Sequence, residues 1–133
     1  MQTRNERWQV IAPRIIAVVV SDAERRALGR LERALGVTLR TCKRIDEATA
    51  LVAEAKADAV ITRVCDASGI PVAPALALLR RTVPSAGVVV LVDGRSSSRA
   101  TVAALPLADG VLFEKCLDRA SVGAALRRAT DRR

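Results

Sequence analysis

DAVITRVCDASG, residues 58–69, is the stretch on which the fold turns. It reads as a buried strand running out into a loop, with Ala59, Val60 and Ile61 as its apolar body. Polar residues do not alternate with the apolar ones here, the pattern of a strand covered on both faces, as in a parallel sheet. One residue breaks the pattern. Arg63 places a charge where the strand should end.

Working outward, short β-branched runs alternate with longer helical stretches five times over. Strands are expected at about 14–20 (RIIAVVV), 37–43 (VTLRTCK), 58–64, 87–92 (GVVVLV) and 110–114 (GVLFE). The first helix, about 22–35, has Ser21 or Asp22 as its N-cap, Glu24 three residues after Ser21 as in a capping box, and Gly36 at its stop. Leu28, Leu31 and Leu35 give it an apolar stripe. A second helix, about 45–56, starts on Asp46 and Glu47 and turns Ala48, Leu51, Val52 and Ala55 inward. A third, about 72–83, ends before Pro84. A fourth, about 96–105, is interrupted by serines and a terminal proline, and a fifth spans about 119–130. Alternating elements with apolar strands give an α/β fold around a parallel sheet, whose functional crevice lies outside the carboxyl ends of the strands.

The 133 residues, half of them hydrophobic, suit one domain: an N-terminal arm over 1–13, with Trp8, and a folded domain over 14–133. No apolar stretch approaches a membrane span, and Pro13 and Arg14 interrupt any leader-like core, so no membrane insertion and a cytoplasmic location are expected. The formal charge of +8 comes from 19 arginines against three lysines. That balance attracts nucleic acid, acidic proteins or anionic lipid at long range without choosing among them, and it is also what a GC-rich coding sequence yields. With only Trp8 and Phe113 aromatic, there is no stacking platform for single strands.

Several chemistries are excluded. Histidine is absent, which removes Ser-His-Asp and Cys-His couples, the usual zinc constellations and a phosphohistidine relay. Cys42, Cys65 and Cys116 are too far apart for a metal or disulfide framework. The seven glycines never form G-x-G, and G-K-[ST] is missing, so both nucleotide-binding loops are gone. DGRSSS, residues 93–98, reads as a solvated loop, or as an anion cradle using Arg95. No cofactor and no metal are expected.

Five βα units with RIIAVVVSD, DAVITRVCDASG, GVVVLVDG and GVLFEKCLD as the first, third, fourth and fifth strand regions resemble the receiver domain of bacterial two-component response regulators. The resemblance covers about residues 14–130 and implies a flavodoxin-like sheet ordered 2-1-3-4-5. In that family an acidic pair after the first strand and an aspartate ending the third bind magnesium and accept a phosphoryl group; a hydroxyl residue after the fourth and a lysine after the fifth read it. Here the acidic pair falls on Val20 and Ser21, or on Ser21 and Asp22; the phosphoacceptor on Arg63; the hydroxyl on Val92; the lysine is Lys115; and the residue after it, usually a proline, is Cys116.

Arginine supplies neither nucleophile nor metal ligand, so the resemblance implies a degenerate pocket that is not phosphorylated on aspartate and an output that is not enzymatic. A buried guanidinium needs partners, and Asp22, Asp66, Asp93 and Glu114 are the candidates. Lys115 is expected to pair with Asp22 or turn to solvent, and Cys65 and Cys116 lie near enough to the crevice for a redox role. The first helix docks partners in the family, and the face of helix 4, strand 5 and helix 5 forms dimers. Arg25, Arg26, Arg30 and Arg33 on the first helix and Arg127 and Arg128 on the fifth are expected to merge into one basic patch. The implied function is a phosphorylation-independent signalling module acting on a protein partner or on itself. The alternatives are nonspecific, weak nucleic-acid binding through the arginines, and a conventional single-domain response regulator phosphorylated on aspartate, for which Asp66 would be a shifted acceptor.

Overall fold

The computed structural model describes residues 12–94 and 98–131, except for the side chain of Cys116. Expectations for the arm up to Ile11, for Arg95 in the DGRSSS loop and for the Cys116 thiol therefore lie outside the described residues. Five parallel strands, β1 (Arg14–Val18), β2 (Thr38–Cys42), β3 (Ala59–Arg63), β4 (Gly87–Val92) and β5 (Gly110–Phe113), form one sheet in the order β2-β1-β3-β4-β5. Between and after them run α1 (Asp22–Leu35), α2 (Ile45–Ala55), α3 (Ala73–Thr82), α4 (Ser98–Ala104) and α5 (Arg119–Thr130). The expected α/β, receiver-like arrangement is the one observed.

The two-residue period of the strands divides the core. Ile16, Val18, Val60, Val88 and Val90 point to the side covered by α2, α3 and α4, where Val52, Leu76 and Leu79 meet them. Ile15, Ala17, Ile61, Val89, Leu91 and Leu112 point to the other side, against Leu28 of α1 and Val122, Leu126 and Ala129 of α5. The α5 backbone comes very close to the sheet: a Cβ on Gly87 would stand 2.3 Å from the Ala129 carbonyl oxygen, and one on Gly110 would stand 2.8 Å from that of Ala125. Both positions need a residue without a side chain, whatever their backbone angles.

α1 follows the sequence closely. Ser21 is its N-cap, with the hydroxyl accepting from the Glu24 amide at 3.1 Å, and Gly36 closes it in the left-handed region at φ 67°. The capping box is only half made, because the Glu24 carboxylate accepts from the Val20 amide (3.1 Å), one residue before the cap. Three expectations are corrected. β1 ends at Val18 rather than at residue 20. The fourth helical stretch is α4 followed by a 3-10 turn over Leu105–Leu107, because Pro106 lacks the amide that an α-helix would use there. The strands are not all apolar on both sides: β5 alternates buried Gly110 and Leu112 with exposed Val111 and Phe113, as an edge strand covered on one face does.

Candidate functional site

The same alternation that sorts the core also builds a cluster at the carboxyl ends of the strands. Ile61, Leu91 and Leu112 all face α1 and α5. Two residues further along each chain, on the same side, come Arg63, Asp93 and Glu114. Glu24 on the first turn of α1, in line with Leu28, Leu31 and Leu35, reaches into this convergence from above.

Arg63 is the hub. It is 8% exposed, and Glu24 is 7% exposed. The Arg63 Nε donates to Glu24 Oε2 at 2.7 Å, and Nη2 of the same guanidinium lies against the same oxygen. Nη1 pairs with Asp93 Oδ2, and Nη2 reaches Glu114 Oε1 at 3.3 Å. Burial disfavours the Arg63 charge, yet hydrogen bonds and attraction from Glu24, then from Glu114, outweigh it and hold its pKa above the ordinary arginine value. Among the described residues no buried side-chain nitrogen or oxygen lacks a partner. The cluster is thus a closed ionic network, in which one fork-shaped cation satisfies carboxylates from three elements.

The network differs from the expected set of partners. Asp93 and Glu114 do pair with Arg63. Asp22 does not: it is exposed and bonds Arg25 at 3.2 Å, three residues along the same helix. Nor does Asp66, which is 4% exposed and serves the opposite side of the sheet. Its Oδ2 accepts from the Ile45 amide (2.8 Å), and its Oδ1 accepts from the Ser68 amide (2.9 Å) and the Ile70 amide (3.0 Å). Arg44, the N-cap of α2, makes no side-chain cap hydrogen bond, so Asp66 caps the helix at Ile45 from 21 residues away while it folds the loop after β3. Glu24, the most deeply buried of the three carboxylates and the one met by two guanidinium nitrogens, is the member that sequence reasoning missed. A signal was present: Glu24 stands one turn before Leu28, in register with the leucine stripe of α1.

The remaining predicted positions are scattered by comparison. Ser21 is spent on the α1 cap, Val20 is exposed, Val92 is half-buried, and Lys115 turns to solvent. Of the basic residues, Arg26, Arg30 and Arg33 lie on the outer face of α1, where with Gly29 they line one shallow concavity. Arg127 folds back over Gly123, its Nη1 3.4 Å from where a Cβ there would stand, beside Leu35 of α1. Arg128 is one position on, about 100° further round α5. Both Arg127 and Arg128 are exposed.

A magnesium ion bound as in the resembled family requires carboxylates free to ligate it. Glu24, Asp93 and Glu114 instead converge on a guanidinium, and among the described residues no three His, Cys, Asp or Glu side chains are gathered so as to hold a metal. The residues present do not fit that ion. Cys42 is the thiol whose environment is clearest: burial, then the charge of Glu47, pushes it up to about 11. A cysteine so placed is deprotonated to only a small extent near neutrality. Dithionitrobenzoate at pH 8 is therefore expected to modify Cys42 about a hundredfold more slowly than an unperturbed thiol, with the rate still rising above pH 10. A reaction that levels off by pH 9 contradicts the assignment.

The five-stranded parallel sheet in the order 2-1-3-4-5 recurs in solved receiver domains. The signal receiver domain of an HD domain-containing protein from Pseudomonas fluorescens Pf-5 superimposes with a TM-score of 0.78 at 22% identity, covering 92% of this chain and 89% of that one. A CheY-like response regulator receiver domain protein from Methanospirillum hungatei JF-1 gives 0.76 at 13% identity, covering 90% and 94%. The signal receiver domain of a modulated diguanylate cyclase from Desulfovibrio desulfuricans G20 gives 0.78 at 11% identity, with the same coverage of 90% and 94%. At these identities the likeness establishes the receiver fold. No protein-family model matches the chain, and comparison with curated proteins finds no match. No helix among the described residues is long and apolar enough to cross a membrane.

Proposed function

We propose that this chain is a receiver-like signalling module that works without aspartate phosphorylation and without chemistry of its own, through contact with other proteins. The observation that carries the reading is Arg63. At the strand end where the resembled family keeps its phosphoacceptor stands a buried cation, already paired with Glu24, Asp93 and Glu114. Transfer to an aspartate needs a free carboxylate nucleophile and a metal held beside it. Asp66, the nearest other carboxylate along the chain, is occupied by three backbone amides and faces away from the cluster.

Exposed apolar surface supports protein contact as the output. Val102 on α4 is 71% exposed and Phe113 on β5 is 59% exposed, and Leu105 and Val111 are exposed on the same two consecutive segments. In this reading the α4, β5 and α5 side serves self-association or a partner, and the basic face of α1 is a second contact surface.

Incubation with acetyl phosphate and magnesium, followed by intact-mass measurement at neutral pH, tests the proposal. The expected mass is unchanged. A gain of one phosphoryl group that hydroxylamine removes, as it does an acyl phosphate, would overturn the reading.

A further inference from the structure

We propose that Trp8 of the N-terminal arm seats its indole in the groove between α1 and α5, so that the arm straps the two helices together over the start of β1. The inference goes beyond the signalling reading above and does not rest on it. The groove lies at the amino ends of the strands, away from the Arg63 cluster. Ile15 is its floor, Leu35 and Val37 line it from the α1 side, Leu126 lines it from the α5 side, and Pro13 and Arg127 stand at its rim.

The groove has a structural cause. Gly87 and Gly110 let α5 press onto β4 and β5, while α1 lies toward β2. The core on this side therefore closes under α5, where Ala129 is fully buried, and stays open over β1, where Leu31, Leu35, Val37 and Leu39 are only half-buried. An open volume of about 140 Å³ remains. Sites for cofactors and drug-sized ligands run to roughly 300–1,000 Å³, whereas an apolar cavity of about 150 Å³ holds a single benzene ring.

The rim suits an indole in particular. Arg127 is exposed and among the described residues joins no ion pair, which leaves its guanidinium open to the face of an aromatic ring. Thr130, also in the lining, donates its hydroxyl proton to the Leu126 carbonyl at 2.9 Å and keeps a lone pair for an indole N–H.

Trp8 is the aromatic residue within reach. The other one in the chain, Phe113, lies at the opposite end of the sheet, where β5 finishes. The strand period brings the arm to the groove. Arg14 turns to the α2 side, where its Nη1 donates to the Ala55 carbonyl at 2.9 Å, so Pro13 stands on the side of α1 and α5. The Pro13 carbonyl is held there by the Thr38 amide at 2.8 Å. Five residues of chain, from Pro13 back to Trp8, reach up to about 17 Å, against about 10 Å along α5 from Gly123 to Thr130. Phe113 of a second copy is a poorer occupant, because it offers no N–H to Thr130 and two chains of formal charge +8 repel.

Trp8 is the sole tryptophan, so the fluorescence of the full chain reads the arm alone. A synthetic peptide of residues 1–13 gives the value for a free arm. The folded chain is expected to emit at shorter wavelength than the peptide and to be quenched by acrylamide several-fold more slowly, at every protein concentration in a dilution series. Gly123→Leu fills the groove and meets only the side-chain ends of Leu35 and Arg127. It is expected to expel the indole, moving emission and quenching to the peptide's values. Arg127→Gln, at an exposed position, is expected to move both part of the way. Circular dichroism checks that Gly123→Leu folds; if it does not, Arg127→Gln decides alone. The inference is overturned if the folded chain matches the peptide, if the folded variants leave emission and quenching unchanged, or if dilution exposes the indole, which would place it in a second copy.

Discussion

Replacing Arg63 by alanine is expected to lower folding stability by about 3–5 kcal/mol, measured as a fall in the urea midpoint with little change in slope. The size follows from what remains. Glu24 would be left as a buried carboxylate without the guanidinium that neutralises it, and Asp93 and Glu114 would lose the cation that holds the three negative charges together. Against a total stability of about 5–15 kcal/mol for a domain, the loss brings the chain near its threshold. A double variant separates the pair from the hub. Arg63→Ala combined with Glu24→Gln is expected to cost less than the sum of the two single changes, by about 1–3 kcal/mol, because the second change removes the charge that the first one strands. Additive costs would show that the guanidinium and Glu24 do not act as a pair. Arg63→Asp is expected to be at least as damaging as alanine, since it adds a fourth carboxylate to the three that the guanidinium neutralises.

The pH behaviour of this penalty has a definite sign. The Arg63 pKa is raised above its ordinary value in the folded chain, so its contribution is fully present below that ordinary value and disappears only as pH rises through the still higher folded one. Urea curves at pH 7 and pH 10 are thus expected to give the same Arg63→Ala cost. A penalty already falling by pH 10 contradicts the network as described.

How far the sequence reached is set by the range of each interaction. Local patterns carried the helices: Ser21, Glu24 and Gly36 mark the ends of α1 because caps involve residues within one turn. The buried strands were visible as apolar runs. Edge position was not, because Val111 and Phe113 are as apolar as their neighbours and only the absence of a covering layer exposes them. In the site, Asp93 and Glu114 were legible because each directly follows a strand, and strand ends meet in a parallel sheet. Glu24 was hidden by its own cap signal: a residue with a sufficient local reason to be there attracted no second one. The Asp66 case runs the other way, since closeness to Arg63 along the chain suggested a pairing that the two-residue period forbids.

Asp66→Ala is expected to cost about 2–4 kcal/mol, and its effect should be localised in a way that the Arg63 variant's is not. The carboxylate accepts from Ile45, Ser68 and Ile70, and charged acceptors make backbone hydrogen bonds of the stronger sort, about 1.5–3 kcal/mol each in net contribution. The cost stays below their sum because the Ser68 and Ile70 amides sit in an exposed loop where water replaces the carboxylate, whereas Ile45 is buried and its amide begins α2 without another side-chain cap. Asp66→Asn keeps one oxygen acceptor and should lose about half as much. Amide hydrogen exchange distinguishes the mechanism from general loosening: protection should fall at Ile45, Ser68 and Ile70 first, while β3 and β4 keep theirs. If those three amides stay protected in Asp66→Ala, the carboxylate does not tie the loop to α2. If protection is instead lost first around Glu24 and Asp93, Asp66 belongs to the Arg63 cluster after all, and the separation of the two sides of the sheet fails with it.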